Sequence, residues 1–263
     1  MIMAAAKYTT NLSKAQGMIP ETYELLQLWK PGMKAADLKT RVRETGALGR
    51  ATQVRVDDIV GRSFAQRYLI EDGQPARWLR QLLEQSAPKA LLRQLILIYT
   101  ARANPVLHDF ICQVFWLKCN ARAGEVAKQD ARDFLERAVN RGDISPRWSE
   151  NITERMTRYL LGALEDFEFI AENRFGQRQI RPQTILPETV VFLAYELHFR
   201  GEETAQVIRH PDWGLFGLLA NDVIGLLEKA ALREALFVQH SGGILRIEWR
   251  YSSMEEMLNA IAH

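Results

Sequence analysis

The chain has 263 residues, 47% of them apolar, and its 34 Lys and Arg against 32 Asp and Glu leave a formal net charge of +2. That length and apolar content suffice for a substantial core in one large domain or two ordinary ones. The near-balance of charge excludes a polyanion gripped by bulk charge, so any nucleic-acid surface must come from local segregation.

Two cysteines, Cys112 and Cys119, and an opening (MIMAAAKYTT) that lacks the apolar core and cleavage pattern of a secretion signal point to a reducing cytoplasm. The apolar runs are broken by Arg93, Lys118 and Asp222. None reaches the roughly 18 charge-free residues of a membrane-spanning helix. A soluble chain is expected.

From Pro20 to Trp29, apolar residues at three- and four-residue spacing predict a short helix, ended by Pro31 and Gly32. A second helix turns Ala35, Leu38 and Val42 inward and stops at Gly46. After an Ala-Leu-Gly turn, a third begins near Ala51, the rhythm of a helix-turn-helix. Its apolar stripe is Val56, Ile59, Val60, Phe64 and Tyr68, which leaves Arg55, Arg62 and Gln66, with Asp58 near them, on the other side. Helices follow at 76–84, 89–102, 105–120 and 126–140, and the third of these four is apolar almost all round, as the centre of a bundle would be.

In GDISPRWSENITERM, Ser145 suits a helix cap and Pro146 its first position. Ile152, Met156, Tyr159, Leu160, Ala163 and Phe167 then face inward, and Asn151, Arg155 and Arg158 outward. The basic stretch NRFGQRQIRPQT cannot continue that helix; as a loop or hairpin it would complete the outline of a winged helix-turn-helix. A helix from Pro187 to Gly201, a short one to Arg209 and a long one from Asp212 to about Glu234 come next. In FVQHSGGILRIEWRY, Leu245, Ile247, Trp249 and Tyr251 alternate with Arg246, Glu248 and Arg250, and Ser241-Gly242-Gly243 supplies a turn, so one β-hairpin is expected. Ser252 and Glu255 fit a capping box that opens the last helix. The expected architecture is mainly α: a helical bundle with helix-turn-helix-like elements and one short C-terminal β-hairpin, divided into an N-terminal helical domain (1–140) and a C-terminal winged-helix-like domain (141–263).

No phosphate-binding glycine loop, GxGxxG, GxSxG elbow or HExxH is present. His108, Cys112 and Cys119 share one helix, but a rise of about 1.5 Å per residue puts the outer pair roughly 16 Å apart, too far for one metal ion. The remaining histidines (His198, His210, His240, His263) are scattered, and Glu165, Asp166 and Glu168 read as a solvated helix end. The chain is therefore expected to be no enzyme and to need no metal or cofactor.

The positive signal is basic. Residues 34–67 hold eight cations (Lys34, Lys39, Arg41, Arg43, Arg50, Arg55, Arg62, Arg67) against four acids (Asp37, Glu44, Asp57, Asp58). A second focus joins Arg147, Asn151, Arg155 and Arg158 to Arg174, Arg178 and Arg181. Guanidinium stays charged and forks onto phosphate or guanine, and Asn pairs with adenine. The competing reading is an ordinary solvated helix face. Arg246 and Arg250 form a second wing or simply edge a hairpin that covers the core.

The segments GMIPETYELLQLW, ISPRWSENITERM, HPDWGLFGLL and GILRIEWRYSSMEEMLNAI together resemble the BrxA family of bacteriophage exclusion (BREX) systems, over nearly the whole chain. The resemblance implies a small, mainly helical protein of an anti-phage defence system that methylates host DNA and blocks phage replication, with DNA-binding capacity and some similarity to the RNA-binding antitermination factor NusB. Some members are labelled inner-membrane proteins, which the broken apolar runs here contradict. Methylation would belong to another subunit, and no S-adenosylmethionine site is evident. Duplex DNA and other BREX subunits are the partners to expect, with no membrane and no small-molecule substrate. A non-catalytic scaffold and an RNA-binding protein are the alternatives.

Overall fold

Helical periodicity carries most of the chain. The computed structural model describes residues 7–14, 16–49, 51–231, 234–241 and 244–262. They form twelve helices and two antiparallel two-stranded sheets. They divide into two compact units, one of residues 1–77 and 96–182 and the other of 78–95 and 183–263. The expected boundary at 140/141 falls inside the first.

The first unit opens with a 3-10 turn, Asn11–Lys14, and α1 (Ile19–Leu28), which has Pro20 in its first turn where a missing N–H costs nothing. Trp29 ends α1 and donates from Nε1 to the Met33 carbonyl at 2.9 Å. Gly73 lies flat on that indole; with φ +77°, and only 2.7 Å between a Cβ there and the ring, no other residue fits. α2 (Ala35–Thr45) buries Leu38 and Val42 and stops at Gly46, which takes the left-handed conformation. α3 begins at Gln53, capped by Thr52 Oγ1 accepting from the Arg55 N–H, and runs through Gln53–Val56, Asp57–Phe64 and Ala65–Tyr68. Over Asp57–Phe64 the helix widens to a π spiral, which the apolar spacing did not signal. The expected stripe of Val56, Ile59, Val60, Phe64 and Tyr68 is buried throughout.

α4 (Gln74–Glu84) and α5 (Lys89–Ala103) are each shared between the two units. α6 runs through Pro105–Phe110, a second π segment at Ile111–Phe115, and Trp116–Asn120. It buries one face (Val106, Leu107, Phe110, Ile111, Val114, Phe115) and leaves Leu117 67% exposed, so it is not the all-round buried centre its composition suggested. α7 (Lys128–Arg141) and α8 (Glu150–Asp166) pack side by side. The α8 cap is Ser149, whose Oγ accepts from the Ile152 N–H, and not Ser145; the Ser145–Pro146 peptide is cis, ahead of the helix.

The basic stretch after α8 is a hairpin: β1 (Ile170–Glu172) pairs with β2 (Arg178–Ile180). Gly124–Val126 adds a third rung on the far side of β2, with Val126 N–H donating to the Arg178 carbonyl and Ile180 N–H to that of Gly124, both at 3.0 Å.

In the second unit, α9 (Pro187–Phe199) is the helix buried all round: every residue from Thr189 to Leu197 is interior. Gln94 fixes its start, its Oε1 accepting from Leu186 N–H and Thr189 Oγ1 while its Nε2 donates to the Thr184 carbonyl. α10 (Thr204–Arg209) follows. The single long helix expected from Asp212 is two elements, a 3-10 stretch Pro211–Phe216 and α11 (Ala220–Ala231), separated where Gly217 takes φ +69°.

The C-terminal hairpin forms as read: β3 (Leu236–Ser241) pairs with β4 (Ile244–Trp249). Its Gly242-Gly243 turn lies outside the described residues. The buried Tyr195 hydroxyl binds both ends of this hairpin, accepting from Arg250 and Tyr251 N–H at 2.8 and 3.1 Å and donating to the Ala235 carbonyl at 2.7 Å. α12 (Met254–Ile261) is capped one residue later than expected, by Ser253 accepting from Glu256 N–H, and Ser252 binds the Glu256 carboxylate.

Candidate nucleic-acid interface

The two arginine groups both fall in the first unit, but they differ in how their charge is spent. In the 34–67 segment, α2 packs against α3 and the acids meet the cations. Asp57 accepts from Lys39 at 2.9 Å and lies 3.6 Å from Arg43; the Lys39 hydrogen bond, with the nearby positive charge, holds its carboxyl below the usual range. Arg62 binds Asp58 at 2.9 Å one turn away. Arg41 is half-buried in a groove of about 480 Å³ with Met33, Asp37, Thr40, Glu44 and Thr45, and its Nε is buried without a hydrogen-bond partner. Arg55 is exposed at the start of α3. Arg50 lies outside the described residues.

Arg67 is not a surface cation at all. It is 2% exposed, and it donates to the carbonyls of Gln16 at 2.8 Å and Gly17 at 3.3 Å, locking the N-terminal segment to α3; burial pulls its pKa down. Gly17 in turn donates its N–H to Asp166 at 2.9 Å, and burial pushes that carboxyl up. Asp166 therefore anchors the N-terminal segment, and Glu165 pairs with Arg178 at 2.8 Å, so neither is the free solvated acid the sequence suggested.

The second group is freer. Asn151, Arg155 and Arg158 recur at i, i+4 and i+7 along α8 and are exposed on one face. The acids of the first half of the helix are turned to α7: Glu154 binds Lys128 and Arg132, and Glu150 binds Arg132. Hydrogen bonding to Lys128 first, then Arg132, holds Glu154 below its usual range. Among the described residues, no carboxylate lies within ion-pairing distance of Arg155 or Arg158. Arg147 binds Glu136 at 3.0 Å, but both side chains are more than 60% exposed. A pair so wet contributes about 0–1 kcal/mol and can exchange for a phosphate.

β1 packs on α8, and Arg178 of the hairpin reaches Glu165 near the helix's C-terminal end. From residue 173 to 187 the chain contains three arginines and no acid. Arg174 lies over the Phe175 ring at 4.7 Å, Arg178 is held by Glu165, and Arg181 is exposed. Two features escaped the sequence reading. Arg122, exposed two residues before the rung at Gly124, joins this neighbourhood through a strand pairing that spans more than fifty residues of chain. Phe175, an apolar residue in a basic loop, is 72% exposed, and its only sequence signal was the Asn-Arg-Phe-Gly turn around it.

Elsewhere, Cys112 and Cys119 are free and half-buried, and no group of three metal-ligating side chains exists among the described residues. No helix is long and apolar enough to cross a membrane. Arg246 faces Glu248 at 3.6 Å, and Arg250 binds Glu234 through both its carboxylate and its carbonyl.

The BrxA family model matches residues 6–196. A solved structure of an uncharacterised protein from Magnetospirillum magneticum is similar in fold, with a TM-score of 0.58 and 16% identity over 78% of this chain and 98% of that one. At that identity the likeness bears on the fold alone. Comparison with curated proteins gives no match.

Proposed function

Since the chain belongs to the BrxA family, we propose that it acts in a BREX phage-defence system as a non-catalytic cytoplasmic accessory protein that binds duplex DNA. The observation that carries this reading is the exposed face of Asn151, Arg155 and Arg158, whose two arginines have no carboxylate within ion-pairing distance among the described residues, together with the exposed Arg174 of the hairpin that follows α8. Guanidinium groups spaced along one helix can meet successive phosphates, and each phosphate neutralised releases condensed counterions. The grip would be strongest on the backbone and tolerant of sequence, with Asn151 able to reach a base edge.

A salt titration of duplex binding tests it. With about four phosphates engaged, log K should fall against log salt with a slope of about −3.6. Absence of binding at low salt, or binding indifferent to salt, would sink the proposal. Competition by structured RNA that displaces duplex DNA at equal concentration would move the reading to RNA.

A second reading, an assembly scaffold, draws on a separate observation. In the 34–67 segment Lys39, Arg43 and Arg62 are paired from within, and Val54 is left 70% exposed at the start of α3. An apolar residue beside cations already paired with carboxylates suits another defence subunit better than a phosphate backbone. Co-purification that survives nuclease treatment, and is lost with Val54→Asp, would favour it.

A further inference from the structure

The β1–β2 hairpin ends in a construction with more order than a solvated loop needs. Asn173 and Gln177 close it, the Asn173 N–H donating to the Gln177 carbonyl at 2.9 Å and the Gly176 N–H to the Asn173 carbonyl at 3.0 Å. Gly176 takes φ +77°, the left-handed position that a three-residue hairpin loop requires after its turn. The Asn173 side chain braces the loop from inside: its Oδ1 accepts from Phe175 N–H at 2.9 Å and Gln177 N–H at 3.0 Å, and its Nδ2 donates to Gln177 Oε1 at 2.9 Å. The rung at Gly124–Val126 holds the base of β2. What this frame presents is Phe175, 72% exposed, with the Arg174 guanidinium over its ring.

A phenyl ring held in water by a braced turn forgoes the stabilisation that burial would give it. Lone exposed apolar residues are common, but this one sits in a braced turn and is partnered by an arginine, with the Glu172 carboxylate on the side of Gly176. Binders of single strands lay successive bases on several aromatic side chains. In this unit the other large aromatics near the surface, Tyr23, Trp116, Trp148 and Tyr159, are half-buried, and Phe175 stands alone among the described residues. A single ring beside an arginine matches the other use of such a pair, a wedge between two base pairs with the cation in the minor groove, which is about 6 Å wide.

Building on the DNA-binding reading, we propose that Phe175 enters a base step of duplex DNA from the minor groove and that Arg174 follows it into the groove, so that the chain unstacks and bends the DNA it binds. Neither group touches the interior of the unit, and the hairpin forms without them.

The test uses an alternating A·T duplex with half its adenines replaced by the fluorescent analogue 2-aminopurine, which brightens on unstacking, together with end-to-end energy transfer as a measure of bending. The full-length protein should raise the fluorescence and shorten the end-to-end distance. Phe175→Ala should lose both signals and on the order of fivefold in affinity, the low end of what one aromatic–base contact supplies, with the salt slope unchanged. Phe175→Trp should restore the signals. Arg174→Gln should lower the salt slope by about one. Thermal melts of each variant should match that of the parent. If the parent binds duplex in a salt-dependent way without unstacking it, or if Phe175→Ala unstacks as well as the parent, the wedge is wrong and the binding reading stands. If the parent prefers single-stranded DNA and Phe175→Ala removes that preference, the residue is a single-strand stacking site and the wedge is again overturned. If the parent binds no duplex at low salt, both readings fall.

Discussion

The two hairpins carry similar numbers of arginines but differ in what lies at their ends. In β3–β4, Leu236 and Ile247 are buried, Trp249 stacks on His198 at 4.2 Å, and the Tyr195 hydroxyl ties off both strand ends. Its arginines have local carboxylates, Glu248 for Arg246 and Glu234 for Arg250. In β1–β2 the strands are three residues each, the support comes from a neighbouring segment, Glu165 holds Arg178 and Glu172 lies beside the turn at Gly176, while Arg174 at the tip lies over the Phe175 ring. The comparison teaches that a count of guanidinium groups says little about binding, because what distinguishes a contact surface is which of them keep a carboxylate within reach.

The largest expected effect comes from reversing the unpaired charges. Arg155→Glu with Arg158→Glu should weaken duplex binding by about 30- to 100-fold at low salt and flatten the salt dependence, since two phosphate contacts become repulsions. Gel-shift titrations at several salt concentrations measure both, and wild-type affinity in this variant would erase the distinction between the two regions.

Next is the hydroxyl that organises the other hairpin. Tyr195→Phe strands two backbone N–H groups and one carbonyl, and should cost about 1–3 kcal/mol of stability in denaturant unfolding while leaving DNA affinity alone.

Acid titration separates charge that holds the fold from charge that faces solvent. Burial pushes the Asp109 carboxyl up, but hydrogen bonds from His108, Lys7 and Tyr8 outweigh it and hold its pKa well below the ordinary carboxylate value. A carboxyl depressed in the folded state stabilises it fully above its unfolded pKa, about 3.9, and loses that contribution as the pH falls further. Asp109→Asn should therefore lower stability at neutral pH and shrink the loss on going from pH 5 to pH 2, as followed by thermal melts.

The smallest effect is expected at the paired arginines. Arg246→Ala with Arg250→Ala should change DNA affinity by less than about twofold, because surface pairs of this kind contribute little to either binding or stability. A larger loss would make β3–β4 a second contact surface.

Most helices were legible because their apolar residues recur at helical spacing: α2, α3 and α8 each have the stripe that the core uses. What was not legible depended on residues distant in the chain. Arg67 reads as one more surface cation, and only the approach of Gln16 and Gly17 makes it an interior clamp. The rung at Gly124–Val126 has no local signature, since β2 alone determines its partner. Caps slipped by short distances, from Ser145 to Ser149 and from Ser252 to Ser253, because several serines precede each helix and the competition among them is decided by backbone geometry. Of the candidate site, the Asn151, Arg155 and Arg158 face followed from periodicity. The pairing of Arg43 with Asp57 did not, because it requires knowing how α2 meets α3.

The second unit is made from two stretches of sequence with most of the first unit's second half threaded between them. During synthesis, residues 78–95 leave the ribosome long before 183–263 exist to cover them, so Leu79, Leu82, Leu91 and Leu92 must wait with their apolar faces unclaimed. A nonsense mutation near residue 182 would accordingly not release a tidy fragment: it would strand a pair of half-helices whose natural cover was never translated, a target for chaperones and proteases.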